Sequence, residues 1–177
     1  MKVRRTGTLL AGAIALVAVA AALPAAAHDH QPPRLVLEHD DQRQRGINYH
    51  GWWTRRHDAR TCVAWDGVGP RAFPEDAVTE PDPRAVIRLV KRHQPSEVWL
   101  KAWQAVGLDG EPVGEATLVD TRIRRVRGAA TRQWAVVFDP PFVGDNYLEL
   151  FVEWEDRQGC GGGQGGFWGF HLFSESL

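Results

Sequence analysis

The sequence lacks three features that would narrow its function at once: a cysteine cluster, a long basic run and, beyond residue 27, a long apolar segment. Its two cysteines stand alone rather than in a CxxC motif, which argues against a cysteine metal site or a catalytic thiol. Scattered arginines and a net charge of −1 argue against nucleic-acid binding. No later segment has the roughly 20 apolar residues that cross a bilayer, so we expect no membrane association once the leader is removed.

The first 27 residues have the pattern of an export signal. A basic start precedes an apolar run over residues 9–23 and three small residues at 25–27, which suit a signal peptidase. An uncleaved membrane anchor is the alternative, but the run is short and mostly alanine. Cleavage after Ala27 removes three of the 21 basic residues and none of the 22 acidic ones, leaving a charge of about −4. We expect a secreted or extracellular monomer, or one held in a periplasm or cell wall.

The two cysteines, Cys62 and Cys160, are expected to form a disulfide. A cysteine pair in an exported chain is normally oxidised, since these compartments lack the reductants of the cytosol. The bridge would close a long loop, which stabilises a fold by restricting its unfolded chain. It would also tie the segment around Cys62 to the glycine-rich stretch around Cys160, residues 159–166, which we interpret as a hairpin loop.

Hydrophobic periodicity predicts an all-β protein. Residues 28–83 have an irregular pattern with one or two strands, whereas from residue 84 apolar side chains recur at every second position. The clearest strand is residues 147–154, where Leu148, Leu150, Val152 and Trp154 would point inward while Glu149 and Glu153 face water. Short strands separated by Gly, Pro and Asp predict an antiparallel β-sandwich over residues 84–177, folded as one unit with the irregular N-terminal extension.

Residues 85–172 resemble the immunoglobulin-like or fibronectin-type β-sandwiches of secreted bacterial proteins. The resemblance is carried by Val98-Trp99-Leu100, by residues 138–142 (FDPPF) and by residues 144–150 (GDNYLEL). It implies that Tyr147, near the start of the penultimate strand, corresponds to the tyrosine that closes a corner in such folds. The inter-sheet disulfide of that family is absent, because Glu149 stands where its cysteine would fall. The resemblance implies a fold rather than an activity.

The expected mature N-terminus suggests a metal site. Cleavage after Ala27 would leave His28-Asp29-His30 with a free α-amine. That amine, two amide nitrogens and the imidazole of His30 form a square-planar set suited to Cu(II) or Ni(II), and His28 adds a second imidazole. Cleavage one residue away would destroy the site. The alternative interpretation is a polar tail whose histidines have no role.

A cluster of aromatic and cationic residues at 49–57 is the second candidate site. Aromatic faces beside guanidinium groups can recognise a sugar, a carboxylate or a protein surface. Adjacent side chains on a strand point to opposite faces, so at least one of the two neighbouring tryptophans is expected to be buried. The candidate binding residues are Tyr49, His50, Trp52, Trp53, Arg55, Arg56 and His57.

No residue pattern indicates a catalytic site. His-Asp neighbours occur at 39–41 and 57–58, but adjacent residues on an extended chain face opposite ways. No serine lies in a nucleophile-elbow motif. The sequence therefore favours a secreted, non-enzymatic recognition or structural module for a protein or glycan, without a cofactor. The copper or nickel binder is the alternative, and an uncharacterised hydrolase is a third, weaker hypothesis.

Overall fold

A computed structural model of the protein describes residues 33–39, 42–80, 82, 84–89, 93–126, 133–156 and 159–176. The expected export signal and both residues of the expected metal site, His28 and His30, lie outside these ranges. No helix within them is long and apolar enough to cross a membrane. The described residues form fourteen strands: β1 (Leu35–His39), β2 (Gln42–Arg45), β3 (Ile47–Arg56), β4 (Cys62–Val68), β5 (Val78–Glu80), β6 (Ala85–Leu89), β7 (Glu97–Trp103), β8 (Ala105–Val106), β9 (Pro112–Val113), β10 (Thr117–Val119), β11 (Thr121–Arg125), β12 (Trp134–Phe138), β13 (Gly144–Trp154) and β14 (Gln164–Ser174).

Two sheets contain most of these strands. The five-stranded sheet has the order β11-β12-β6-β1-β2, and all its neighbours are antiparallel. The seven-stranded sheet runs β10-β7-β13-β14-β3-β4, with β5 pairing in parallel beside the end of β14. A small hairpin of β8 and β9 stands apart. The predicted all-β, antiparallel architecture is confirmed.

The core lies between the two larger sheets in a sandwich-like arrangement. Alternate residues of β1, β6 and β12 supply one side of the core, and alternate residues of β7, β13 and β14 supply the other. Trp154 and Trp168 are the largest side chains fully buried there. Burying an apolar side chain of this kind is worth about 1.5–3 kcal/mol, so this shared interior accounts for the cohesion of the two sheets.

The N-terminal segment contributes more strands than the one or two expected from its sequence. Five strands lie between residues 35 and 80, and they belong to both sheets. Their apolar periodicity is weak because two of them, β2 and β4, are edge strands whose side chains are mostly exposed or half-buried. The strands from this segment and from residues 85–174 therefore form one folded unit.

One continuous stretch of alternating side chains divides between the sheets. Thr117, Val119, Thr121 and Ile123 recur at every second position as they would in one strand, but β10 pairs with β7 and β11 pairs with β12. The chain crosses from one sheet to the other at Asp120, which is exposed. Side-chain periodicity continues across such a crossover, because the inward-facing residues of both strands reach the same core. Arg122, Arg124 and Arg125 are exposed on the edge strand β11.

A segment between β4 and β5 lies over the outer face of the seven-stranded sheet. We call residues 69–77 the covering segment. The backbone of Ala72 lies over Gly169, where an added Cβ would come within 1.9 Å of the Ala72 carbonyl oxygen. Phe73 packs edge-on against Trp103 and Tyr147, with ring centroids 6.3 and 5.6 Å away. The part of the outer face around Trp103, Tyr147 and Gly169 is therefore covered by the chain itself.

The disulfide between Cys62 and Cys160 is present, as predicted, with the two Cα atoms 5.7 Å apart. It joins the start of β4 to the loop that precedes β14. Arg56 and Thr54 reinforce the junction by donating hydrogen bonds to the carbonyl oxygens of Gly159 and Gly162, at 3.2 and 3.3 Å. The hairpin of β3 and β4 is thereby fastened to the hairpin of β13 and β14 at one end of the molecule.

Candidate functional site

A β-bulge in β3 determines how the aromatic cluster is displayed. Trp168 pairs with Asn48 and Phe167 pairs with His50, so Tyr49 is the extra residue opposite this step. A bulge changes the direction in which the following side chains point. Tyr49 and His50 consequently both pack on Phe167 at the outer face, with ring centroids 6.1 and 5.3 Å from it. A regular strand would place these two neighbours on opposite faces.

The outer face carries a continuous group of rings, which we call the aromatic stripe. Strand register aligns Trp99, Phe151, Phe167 and His50 in one row across β7, β13, β14 and β3. Neighbouring ring centroids in that row are 5.0, 5.1 and 5.3 Å apart. Trp52 joins the row from the side, with its centroid 6.0 Å from both Phe151 and His50. Phe151 is buried, whereas the other four rings are half-buried.

Trp52 packs closely over the sheet because its neighbour is glycine. An added Cβ on Gly165 would come within 2.8 Å of Cζ2 and 3.2 Å of Cε2 of the Trp52 indole. The ring therefore lies over Gly165 on β14, near Phe151 on β13. Any larger residue at position 165 would displace the indole. The plane of the Trp52 ring is tilted by 36° from that of Phe151.

A buried carboxylate lies beside the stripe. Glu149 was expected to face water, yet it is only 2% exposed although it lies on the outer face. The Tyr49 hydroxyl and the Arg71 Nε both donate hydrogen bonds to its Oε2, the latter at 2.8 Å. Arg71 belongs to the covering segment, and its guanidinium lies 5.2 Å from the centre of the Trp103 ring. The carboxylate is buried because this distant segment covers it, which the local alternation of β13 could not reveal.

Both tyrosines of the chain, Tyr49 and Tyr147, have raised pKa values. Burial is the main cause in each case, and the negative charges of Glu149 and Asp145 add to it. In the native protein we therefore expect little tyrosinate absorbance at 295 nm near pH 10, where the unfolded chain in denaturant ionises. Both tyrosine pKa values are higher in the folded state than in the unfolded state. The stability that the protonated tyrosines contribute is therefore complete below about pH 10 and is lost as the pH rises further.

The variant Tyr147→Phe isolates the titration of Tyr49. We expect its remaining tyrosine to stay protonated until the protein unfolds in alkali, with circular dichroism recording that transition. Native Tyr147→Phe that gained a full phenolate signal near pH 10 would contradict the burial of Tyr49 against Glu149.

Acidic side chains border the stripe on one side. Glu97 and Glu153 are directly opposite each other on β7 and β13, and the same row continues through Gly165 and Trp52 to Asp66 on β4. We call Glu97, Glu153 and Asp66 the acidic row. Within the described part of the chain, none of the three forms an ion pair within 4.0 Å. On the other side of the stripe, Lys101 places its Nζ 4.7 Å from the centre of the Trp99 ring.

The structure separates the seven predicted binding residues into three groups. Tyr49, His50 and Trp52 come together at the outer face. Trp53 points the other way into the core, where it is 8% exposed and packs on Trp154 and Trp168. Arg56 and His57 lie at the hairpin tip near the disulfide, with the Arg56 guanidinium bound to backbone carbonyl oxygens. Only the backbone of Arg55 is described, within β3.

The sequence did not identify three other rings of the stripe, Trp99, Phe151 and Phe167. Each lies on a strand at an outward position, and the available signal was a large aromatic residue where the alternation of the strand predicts a polar one. For Trp99 this pattern was visible in β7, where Trp99, Lys101 and Trp103 alternate with inward residues. Their convergence depends on strand order, which the sequence alone did not provide.

The metal site expected at His28 and His30 lies outside the described residues. Among the residues that are described, no group of three or more His, Cys, Asp or Glu side chains is placed to hold a metal ion. Comparison of the chain with protein-family models, with curated proteins and with solved structures found no match.

Proposed function

We propose that this protein is a secreted, non-enzymatic β-sandwich that recognises a protein or glycan through the outer face of its seven-stranded sheet. The observation that carries the proposal is the aromatic stripe, in which Trp52, Trp99, Phe167 and His50 are contiguous and half-buried on an outward-facing surface. Aromatic side chains are concentrated at recognition surfaces because they offer a large contact area at a small cost in conformational entropy.

The setting of the stripe also supports recognition. The rings are held in place by cross-strand contacts and by the bulge at Tyr49, so little ordering is needed when a partner binds. The disulfide fastens the β3–β4 hairpin, which carries Trp52 and His50, to the neighbouring hairpin. A rigid surface of this kind would form a complex without a large rearrangement of its backbone. The disulfide is also in keeping with a place outside the cytosol.

Trp52 is expected to contribute most to binding, because it combines a large ring with a half-buried position on the outer face. We expect Trp52→Ala to weaken binding by about 30-fold or more, the effect typical of a central aromatic contact. Leu108→Ala is the matched control, since Leu108 is a fully exposed apolar residue in the turn between β8 and β9, outside the stripe.

The experiment begins with the disulfide-bonded protein recovered from an export host. An array of bacterial, fungal and plant glycans and a phage-displayed peptide library serve as the probes. Hits are measured again with Trp52→Ala and Leu108→Ala after circular dichroism has verified that both variants fold. Recognition by this face would be contradicted if Trp52→Ala did not weaken binding of the ligands found. It would also be contradicted if neither the glycan array nor the peptide library contained a ligand.

A further inference from the structure

We infer that the partner of the aromatic stripe is an extended protein segment that places lysine or arginine side chains beside apolar ones. This inference rests on the proposed recognition function and names the class of its partner. Four observations support it: the charge of the acidic row, the position of Trp52 in that row, the contact of Lys101 with Trp99, and the shape of the surface.

The charge of the acidic row favours a cationic partner. Glu97 and Glu153 form a directly opposed cross-strand pair, and such like-charged pairs destabilise a sheet. Glu97 and Asp66 are exposed and Glu153 is half-buried, so all three carboxylates are within reach of solvent. Positive side chains placed along this row would reduce the repulsion between the carboxylates, and their attraction to the carboxylates would favour binding. A neutral sugar would form hydrogen bonds there but would leave the charges uncompensated.

Trp52 lies in the same row as these carboxylates, with Asp66 opposite it on β4. A cation above the indole is attracted by the electrons of the ring, and nearby carboxylates strengthen that attraction. The protein already uses this interaction on the same face, where the Lys101 Nζ lies 4.7 Å from the Trp99 ring centre and the Arg71 guanidinium lies 5.2 Å from the Trp103 ring centre. A lysine or arginine side chain of a partner would repeat on Trp52 the contact that Lys101 makes on Trp99.

The geometry of the rings is less suited to a sugar. Trp99 and Phe151 are stacked at 17°, and His50 and Phe167 at 23°, so these rings cover one another's faces. A pyranose stacks on an open ring face, whereas Trp52 is tilted by 36° from Phe151 and stands edge-on to His50 at 69°. Ring edges and methyl groups instead make a surface that apolar side chains can contact.

The length of the surface fits a peptide. The row of rings crosses four strands and continues to Val68 on β4, which is 77% exposed. Five neighbouring strands span about 19 Å, the length of roughly six extended residues. At the Val68 end, at the sheet edge, lies an apolar groove of about 320 Å³ lined by Tyr49, Val68 and Pro70, among others. An apolar side chain of the segment could insert there and anchor it.

The test uses an eight-residue peptide in which lysine and tyrosine alternate, labelled for fluorescence anisotropy. A matched peptide replaces every lysine with glutamine, and a neutral β-linked hexasaccharide is the third probe. The protein is the full disulfide-bonded chain. We compare it with the double variant Glu97→Gln/Glu153→Gln and with Glu115→Gln/Glu175→Gln, which removes two exposed acidic residues outside the acidic row.

We expect the lysine peptide to bind at least tenfold more tightly than the glutamine peptide. Glu97→Gln/Glu153→Gln should abolish that preference, whereas Glu115→Gln/Glu175→Gln should retain it. Trp52→Ala should weaken binding of both peptides. Rising salt should reduce the preference, because the contacts with the carboxylates are screened.

Each of the following results would overturn the inference. Equal binding of the two peptides, or a preference that survives Glu97→Gln/Glu153→Gln, would show that the acidic row does not select the partner. If Trp52→Ala abolished binding of the hexasaccharide and the charge variants left it intact, that result would support the proposed recognition function. The partner would then be a glycan rather than a protein segment. Absence of any binding that depends on Trp52 would refute both proposals. Self-association sensitive to Glu97→Gln/Glu153→Gln, measured by sedimentation, would assign the face to a second copy of the chain.

Discussion

Replacement of Cys62 and Cys160 by serine is expected to lower the free energy of unfolding by about 4–5 kcal/mol. The bridge links residues 98 positions apart, so it removes a large part of the conformational entropy of the unfolded chain. A loss of that size is comparable to half of the stability of a typical domain. We expect the midpoint of urea unfolding, followed by tryptophan fluorescence, to fall sharply while the slope of the transition changes because the unfolded chain expands.

The effect of the bridge can be separated from the effect of the serines. Adding reductant should destabilise the parent protein to about the level of the double variant and should leave the double variant unchanged. The local hydrogen bonds from Arg56 and Thr54 to the loop before β14 remain possible after reduction, so the fold should persist at low denaturant. A reduced parent that unfolds at the same urea concentration as the oxidised one would refute a stabilising role.

Gly169→Ala is expected to be the most damaging single glycine replacement on the outer face. The new methyl group would lie 1.9 Å from the carbonyl oxygen of Ala72, which belongs to backbone rather than to a flexible side chain. Either the covering segment must lift or β14 must shift. We expect a loss of about 3 kcal/mol, at the upper end of the range for overpacked sites.

Gly162→Ala is the control for this substitution, because its nearest neighbour is the methyl group of Thr54 at 3.3 Å. We expect it to cost less than 1 kcal/mol. Lifting of the covering segment in Gly169→Ala should also release Arg71 from Glu149 and raise hydrogen exchange of residues 69–77 selectively. Equal unfolding midpoints for the two variants, or an unchanged exchange pattern, would contradict the close packing of Ala72 on Gly169.

The sequence predicted the strands that are buried on one face. In β13, Leu148, Leu150 and Val152 alternate with outward residues, and all three are fully buried as expected. This pattern is informative because the alternation of side chains along a strand follows directly from backbone geometry. The disulfide was predictable for a different reason, since a chain with two cysteines offers only one pairing.

The outer face was harder to predict, because it depends on residues far apart in the chain. Glu149 is charged and lies at an outward position, which normally indicates a solvated side chain; its burial comes from Arg71, 78 residues away. The glycines at 165 and 166 resembled a loop, yet they belong to β14 and leave room for Trp52 and for the backbone of His50. Glycine inside a strand marks a close approach, but it does not identify the group that approaches.

The bulge at Tyr49 likewise had no local signal. It is defined by a shift in register between β3 and β14, which lie more than a hundred residues apart. Without that shift, Tyr49 and His50 would point in opposite directions, and only part of the cluster predicted at residues 49–57 would face outward. The composition of the cluster was therefore readable from the sequence, whereas its arrangement was not.

The central position of β14 has a consequence for the order in which the protein can fold. This strand pairs with β13 on one side, and on the other side it pairs with β3 along its first half and with β5 along its last three residues. The strands β3, β4 and β5 therefore join the rest of the seven-stranded sheet only through β14, the last strand of the described chain. Such long-range pairing slows folding, because segments distant in sequence must meet before their contacts form. During synthesis, this sheet is therefore completed only after β14 has been made.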